Sequence, residues 1–398
     1  MHEMLIFKTL SLLKFCRAMP ISKLSKRDFI KLGLLGTCGA FSSAVGIPLM
    51  ASKPVAPPAG LGKFSRKALF YTPTAKGMKC LICPNECQIK PGEHGECRTR
   101  LHYEGELYAT AYGNPCAVHI DPIEKKPLNH FFPQSEAFSI ATAGCNLACL
   151  NCQNWEISQA SPLETHNQDL MPGKVVEECL KYKCKSIAYT YSDPVAFYEY
   201  TLDTAKIARV SGVKNVLVSA GYINKEPLRE LARFIDAANI DLKSFRNDIY
   251  EMLNAGTLQP VLDTLIFLKD NGVWLEITNL IIPDWTDDFE MIKQMCDWLA
   301  ENGFADYPLH FSRFHPLYKL AQLPATPAET LVKARKIAMD AGLNYVYIGN
   351  IPGTDAQNTS CPKCKKLLVE RKGFTVTKNI IINNKCPFCG AMIAGVWK

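Results

Sequence analysis

The stretch Cys145-Asn-Leu-Ala-Cys149-Leu-Asn-Cys152-Gln-Asn decides how the chain is read. It places three thiols within eight residues, at C-x3-C-x2-C spacing. The preceding Phe138-Ser-Ile-Ala-Thr-Ala-Gly144 reads as a buried strand, so the cysteines occupy a loop leaving its C-terminal end. Three thiolates do not close a site. A structural zinc takes four ligands, and a cubane has four irons. Three ligands on one compact loop suit a [4Fe–4S] cluster whose fourth iron stays open. An open iron can bind the amino and carboxylate groups of S-adenosylmethionine, and the radical chemistry then belongs to the cofactor.

This spacing resembles the radical SAM superfamily. Asn151 departs from the usual pattern, which has an aromatic residue before the third cysteine. That change bears on adenine packing and leaves the thiolates unaltered.

Working outward, two more cysteine groups appear among the 17 cysteines of this 398-residue chain. Cys80, Cys83, Cys87 and Cys97 follow C-x2-C-x3-C-x9-C, and Pro91, Gly92 and Gly95 supply the turn that returns Cys97. Four thiolates can close a site, with zinc first and a second iron–sulfur cluster close behind. Ligand type alone does not choose between them. Cys361, Cys364, Cys386 and Cys389 form paired C-x2-C knuckles, with Gly390 after the last, and read as a zinc ribbon. Cysteines 16, 38, 116, 179, 184 and 296 read as ordinary thiols. The spacings argue for metal rather than a disulfide framework.

Residues 138–352 alternate strand and helix. Strand-like runs recur at 186–191, 215–220, 239–242, 274–282, 309–314 and 345–348, with helical periodicity between them. Gly212, Gly272, Gly303 and Gly342 stand where helices should end. Such alternation means an α/β fold with parallel strands and right-handed crossovers, here a partial (β/α)6 TIM-like barrel. Functional groups then belong at the strands' C-terminal ends. Candidates there are Asp193, in Ser192-Asp193-Pro194, for a cofactor amino group, and Asp241 with Lys243, on one strand face, for its carboxylate or ribose. His310, Arg313 and His315 suggest a basic rim. The Pro-rich segment 101–137 should be irregular with some strand, and His119 and His130 read as surface or hydrogen-bonded histidines.

The domain reading is 1–60 targeting segment, 70–137 Cys-rich region (the N-terminal knot), 138–352 core barrel and 358–398 ribbon. Ser25-Lys26-Arg27-Asp28-Phe29-Ile30-Lys31, then an apolar run, resembles a twin-arginine export signal with its first arginine replaced, and Met19 is an alternative start. Export, an uncleaved membrane tether and an accidental leader on a cytoplasmic protein all remain open. Export conflicts with the cytosolic origin of S-adenosylmethionine. Cys38 does not read as a lipid-anchor cysteine, because Thr37 is too bulky. The net charge of +7 is spread without long runs, so no dedicated nucleic-acid surface is indicated.

Taken together, 80–97, Asp121-Pro-Ile-Glu-Lys-Lys-Pro127, 145–158, 188–200, 310–316 and the ribbon resemble the radical SAM component of the AmmeMemoRadiSam system. That family is related to the pyruvate formate-lyase activating enzymes. The similarity covers roughly 70–397. It implies a [4Fe–4S] cluster on Cys145, Cys149 and Cys152, S-adenosylmethionine, a 5′-deoxyadenosyl radical, an electron donor and two partner proteins. Ser192-Asp193-Pro194 departs from the family's Asn-Glu-Pro, which puts the carboxylate's position in doubt. The substrate, a small molecule or a protein, is not implied. Activation of a glycyl-radical protein is the alternative within this class. A non-catalytic exported iron–sulfur or zinc protein is the alternative outside it.

Overall fold

The structure is a computed structural model, described here for residues 61–351 and 353–398. The targeting segment, Met19 and Cys38 lie outside the described residues.

An open eight-stranded sheet forms the centre. Its strands are β1 (Ala117–Pro122), β2 (Glu136–Ala141), β3 (Ser186–Tyr189), β4 (Lys214–Ser219), β5 (Ala237–Asp241), β6 (Trp274–Ile281), β7 (Leu309–Arg313) and β8 (Val346–Gly349). They lie side by side in chain order. β1 pairs antiparallel with β2, and every other pairing is parallel. Six helices make the crossovers: α1 (Pro172–Lys181), α2 (Tyr198–Val210), α3 (Lys225–Ala232), α4 (Gln259–Asp270), α5 (Phe289–Glu301) and α6 (Ala328–Asp340). The seven parallel strands and six crossovers agree with the expected β–α alternation. The antiparallel edge strand β1 falls inside the Pro-rich segment, where some strand was expected but without a position or direction.

The local chemistry explains these bounds. β3 is buried at every position, as a parallel strand covered on both faces must be. α1 begins with Pro172, whose missing N–H would be unpaired there anyway. Asp288 caps α5 by accepting from the Glu290 and Met291 amides. Gly212, Gly272, Gly303 and Gly342 all have positive φ, just past α2, α4, α5 and α6.

Residues 61–109 build two small three-stranded sheets at the N-terminal side. A buried ion pair joins them to α2. Arg100 grips Glu199 through two bonds of 2.8 and 2.9 Å, and Glu199 also accepts the Leu69 amide. The ribbon's strands are Thr359–Ser360, Leu367–Lys372 and Thr375–Asn379. Isoleucines 380–382 lie just beyond the last of these. Among the described residues no helix is long and apolar enough to cross a membrane.

The ribbon packs under the N-terminal ends of the sheet. His130 Nδ1 donates to the Ala394 carbonyl (2.7 Å), its Nε2 lies 2.5 Å from Tyr347 Oη, and its backbone carbonyl takes the Val396 amide. Arg371 reaches the Asn129 carbonyl at 2.7 Å. Glu276 accepts from the Asn129 and His130 amides and pairs with His310 Nε2 at 2.7 Å. His310 therefore does not belong to a basic rim. It is the second residue of β7, faces Glu276 inside the fold and is buried. Placing it at the mouth from sequence failed because its polar side chain has a buried carboxylate partner that no local pattern reveals.

Candidate active site

Cys145, Cys149 and Cys152 lie on the loop after β2, at the end of the sheet where the parallel strands finish. Their neighbours come from distant elements. Asn254 Nδ2 donates to Cys149 Sγ at 3.2 Å, and Ser158 Oγ lies 3.1 Å from Cys152 Sγ. A π-helical turn, Tyr250–Asn254, positions Asn254, and Ala255 leaves it in the left-handed conformation. The turn also holds the loop backbone, because the Ala148 and Leu150 amides donate to the Asn254 and Leu253 carbonyls.

Asp193 follows β3 and is buried. Its carboxylate accepts from Ser219 Oγ, the Ala220 amide (2.8 Å) and the Val195 amide (3.0 Å). Burial pushes its pKa up, while those hydrogen bonds and the nearby charge of Lys243 pull the other way. Most of its acceptor capacity is already used, which leaves room for roughly one further donor. Ser219 and Ala220, at the end of β4, are site residues that the sequence reading missed. A polar strand end after Asn-Val-Leu-Val was the available signal.

Asp241 ends β5, and Lys243 pairs with it at 2.9 Å. Burial lowers the Lys243 pKa, but Asp241 and the Cys149 sulfur more than offset it, so the ammonium is held well above its ordinary value. Burial pushes the Cys145 thiol up, and the charge of Asp193 adds to that. Asp193, Lys243, Asp241 and the cysteines therefore share one electrostatic neighbourhood. Among the described residues no hydrogen bond or ion pair ties His315 to these groups, although the segment just after it meets the cysteine loop, the Lys319 amide donating to the Leu150 carbonyl at 3.2 Å. His315 is exposed, two residues past β7, with no hydrogen-bond partner among the described residues. Arg313 Nε is turned onto the Thr326 carbonyl at 2.7 Å.

The residues fit a cubane with S-adenosylmethionine. A cationic iron core reverses the penalty that burial places on thiolates. The side-chain amide oxygens of Asn146, Asn151, Asn254 and Asn279 are buried without partners and suit a ligand's N–H or O–H groups. The ribbon cysteines form a separate site. Their four ligand atoms lie within 4.8 Å of one another. Sulfur separations of 3.6 and 3.7 Å match those in a tetrahedron of 2.3 Å zinc–sulfur bonds, about 3.8 Å. Cys80, Cys83, Cys87 and Cys97 line a third, enclosed pocket.

The model described as "Radical SAM superfamily" matches residues 139–299. The chain is 45% identical over 331 residues to an uncharacterized protein of Methanocaldococcus jannaschii, covering 82% of this chain and 98% of that one. It is 20% identical over 221 residues to the pyruvate formate-lyase 1-activating enzyme of Escherichia coli strain K12, covering 51% and 89%. A domain of the pyruvate-formate lyase-activating enzyme from Bacteroides vulgatus superposes with a TM-score of 0.36 and 18% identity, covering 42% and 99%. The chain belongs to the same family as the Methanocaldococcus protein and carries a domain of the radical SAM superfamily.

Proposed function

We propose that the protein is a radical SAM enzyme with its cluster on Cys145, Cys149 and Cys152, at the mouth of a partial (β/α)6 barrel. The observation that carries this reading is the convergence of those thiols with Asn254, Asp193 and Lys243 at one end of the sheet. When bound, the cluster and S-adenosylmethionine supply one electron and a carbon radical that takes a hydrogen atom from substrate. The chain's own groups do the rest. Asp193, held rigid by Ser219 and two amides, accepts from the methionine amino group. Lys243 offers positive charge to the carboxylate, while Asp241 holds that ammonium in place. Asn254 stabilises charge on the Cys149 sulfur.

A glycyl-radical protein substrate is a second reading, favoured by the similarity to activating enzymes. Membership of an AmmeMemoRadiSam-type system, with two partner proteins, an external electron donor and export or membrane tethering through residues 1–60, belongs to the same proposal. The test is anaerobic reconstitution, reduction with S-adenosylmethionine and an assay for 5′-deoxyadenosine. Production by the wild type and loss in Cys149→Ala supports the reading. A fully loaded wild type that forms none, with or without candidate partners, sinks it and leaves a non-catalytic metal protein.

A further inference from the structure

The two four-cysteine sites differ in geometry, and the difference separates their metals. In the ribbon all four sulfurs crowd within 4.8 Å of one another, as they must around one ion. Sulfurs so close leave no free space between them. Cys80, Cys83, Cys87 and Cys97 instead surround a cavity of about 20 Å³. That exceeds the roughly 10–15 Å³ a water molecule needs. Among the described residues no three of these sulfurs gather within 4.8 Å of one another. A single ion with 2.3 Å bonds cannot reach sulfurs spread that widely.

A cubane requires this wider arrangement. Each cysteine binds its own iron, so the four sulfurs stand at the corners of a larger tetrahedron around an inorganic core. The rest of the wall suits such a core. Ile82, Ile89 and Val195 are apolar and buried. The Glu96 amide donates to Cys87 Sγ at 3.5 Å, and Thr99 Oγ1, which donates to the Ala196 carbonyl at 2.6 Å, lies 3.1 Å from Cys97 Sγ. Hydrogen bonds to sulfur tune and stabilise iron–sulfur centres. We infer that Cys80, Cys83, Cys87 and Cys97 hold a second [4Fe–4S] cluster and not zinc.

With every iron capped by cysteine, no iron is open to substrate, and one-electron transfer is the chemistry left to the centre. Its position suits that task. Asn146, beside Cys145, lines the same cavity, and Asn85 Nδ2 donates to the Asn146 carbonyl at 2.8 Å. A Cβ on Gly144 would meet the Cys97 carbonyl at 2.4 Å. The two cysteine loops thus share a wall. One electron from a low-potential one-electron donor reduces this cluster and then leaves it for the centre at Cys145, Cys149 and Cys152. No proton or bond changes hands. The relay role rests on the proposed function, whereas the metal assignment does not.

Iron, sulfide and zinc would be counted on anaerobically reconstituted full-length protein, with zinc X-ray absorption alongside. The inference predicts about eight irons and about one zinc per chain, the zinc in a four-sulfur shell. Cys83→Ala and Cys149→Ala should each remove about four irons and leave the zinc. About four irons with about two zincs in the wild type would overturn the inference, as would about two irons at this site. The wild-type count decides even if Cys83→Ala fails to fold. Failure of the radical SAM reading shows separately, as a Cys149→Ala variant that keeps all its iron.

Discussion

Asn254 and Cys149 stand 105 positions apart in the chain and meet at 3.2 Å, amide nitrogen to sulfur. A donor aimed at a cluster ligand stabilises the reduced, more negative state. Asn254→Ala should therefore lower the midpoint potential on the order of tens of millivolts. Iron content should stay near normal and S-adenosylmethionine cleavage should slow. Spectroelectrochemical titration measures the shift. An unchanged potential would show that the contact is only structural.

Asp193 is an anchor already secured by the protein. Asp193→Asn removes its charge at little cost in volume, and Ser219→Ala removes one of its supports. Loss of a charge-assisted hydrogen bond of about 1.5–3 kcal/mol should weaken S-adenosylmethionine binding roughly 10- to 100-fold in Asp193→Asn. Ser219→Ala should show a smaller loss. Equilibrium dialysis with the reconstituted protein measures both. Equal affinities in all three proteins would remove Asp193 from the site.

The Arg100–Glu199 pair is buried at both ends. Glu199→Gln leaves an uncompensated guanidinium, at a cost of about 3–5 kcal/mol. The expected signature is a lower melting temperature, with the N-terminal cysteine region becoming protease-sensitive first. A variant as stable as wild type contradicts the energetic role given to this pair.

His130 makes stability depend on pH. Burial first, with the nearby Arg371 and His310 charges, lowers its pKa from 6.5 to about 4, against the pull of Glu276. The unfolded chain takes up this proton below pH 6.5, and the folded chain only near pH 4. Its contribution is fully present above the unfolded value and is lost as pH falls through that window, by about 3 kcal/mol. Denaturant titrations of wild type and His130→Gln from neutral to mildly acidic pH test this. The variant should show a flatter pH dependence, and parallel curves would count against His130 as the source.

The alternation of β2 to β8 with six helices was legible because parallel strands need apolar runs and helices need their own period and stop signals, such as Gly212 and Gly272. The cysteine sets were legible from spacing. Asn254 and Ser219 were not, since neither occupies a patterned position and both act through side chains that meet only after folding. His310 was misplaced for the same reason in reverse. Its sequence neighbours, Arg313 and His315, suggested a shared rim, while its partner Glu276 lies 34 residues away on β6. The bounds of edge strand β1, though not the presence of some strand there, were obscured by nearby prolines, and Pro122 lies at the end of that strand, where a missing donor is tolerated.

Gly144 carries a consequence for the history of the family. Its φ of +94° and the pressing Cys97 carbonyl and Thr99 methyl leave no place for a side chain. The requirement for glycine at 144 is therefore set by backbone, whatever side chain stands at position 97. A lineage that discarded the N-terminal cysteines would still hold this glycine, because the left-handed φ and the backbone at position 97 outlast their side chains.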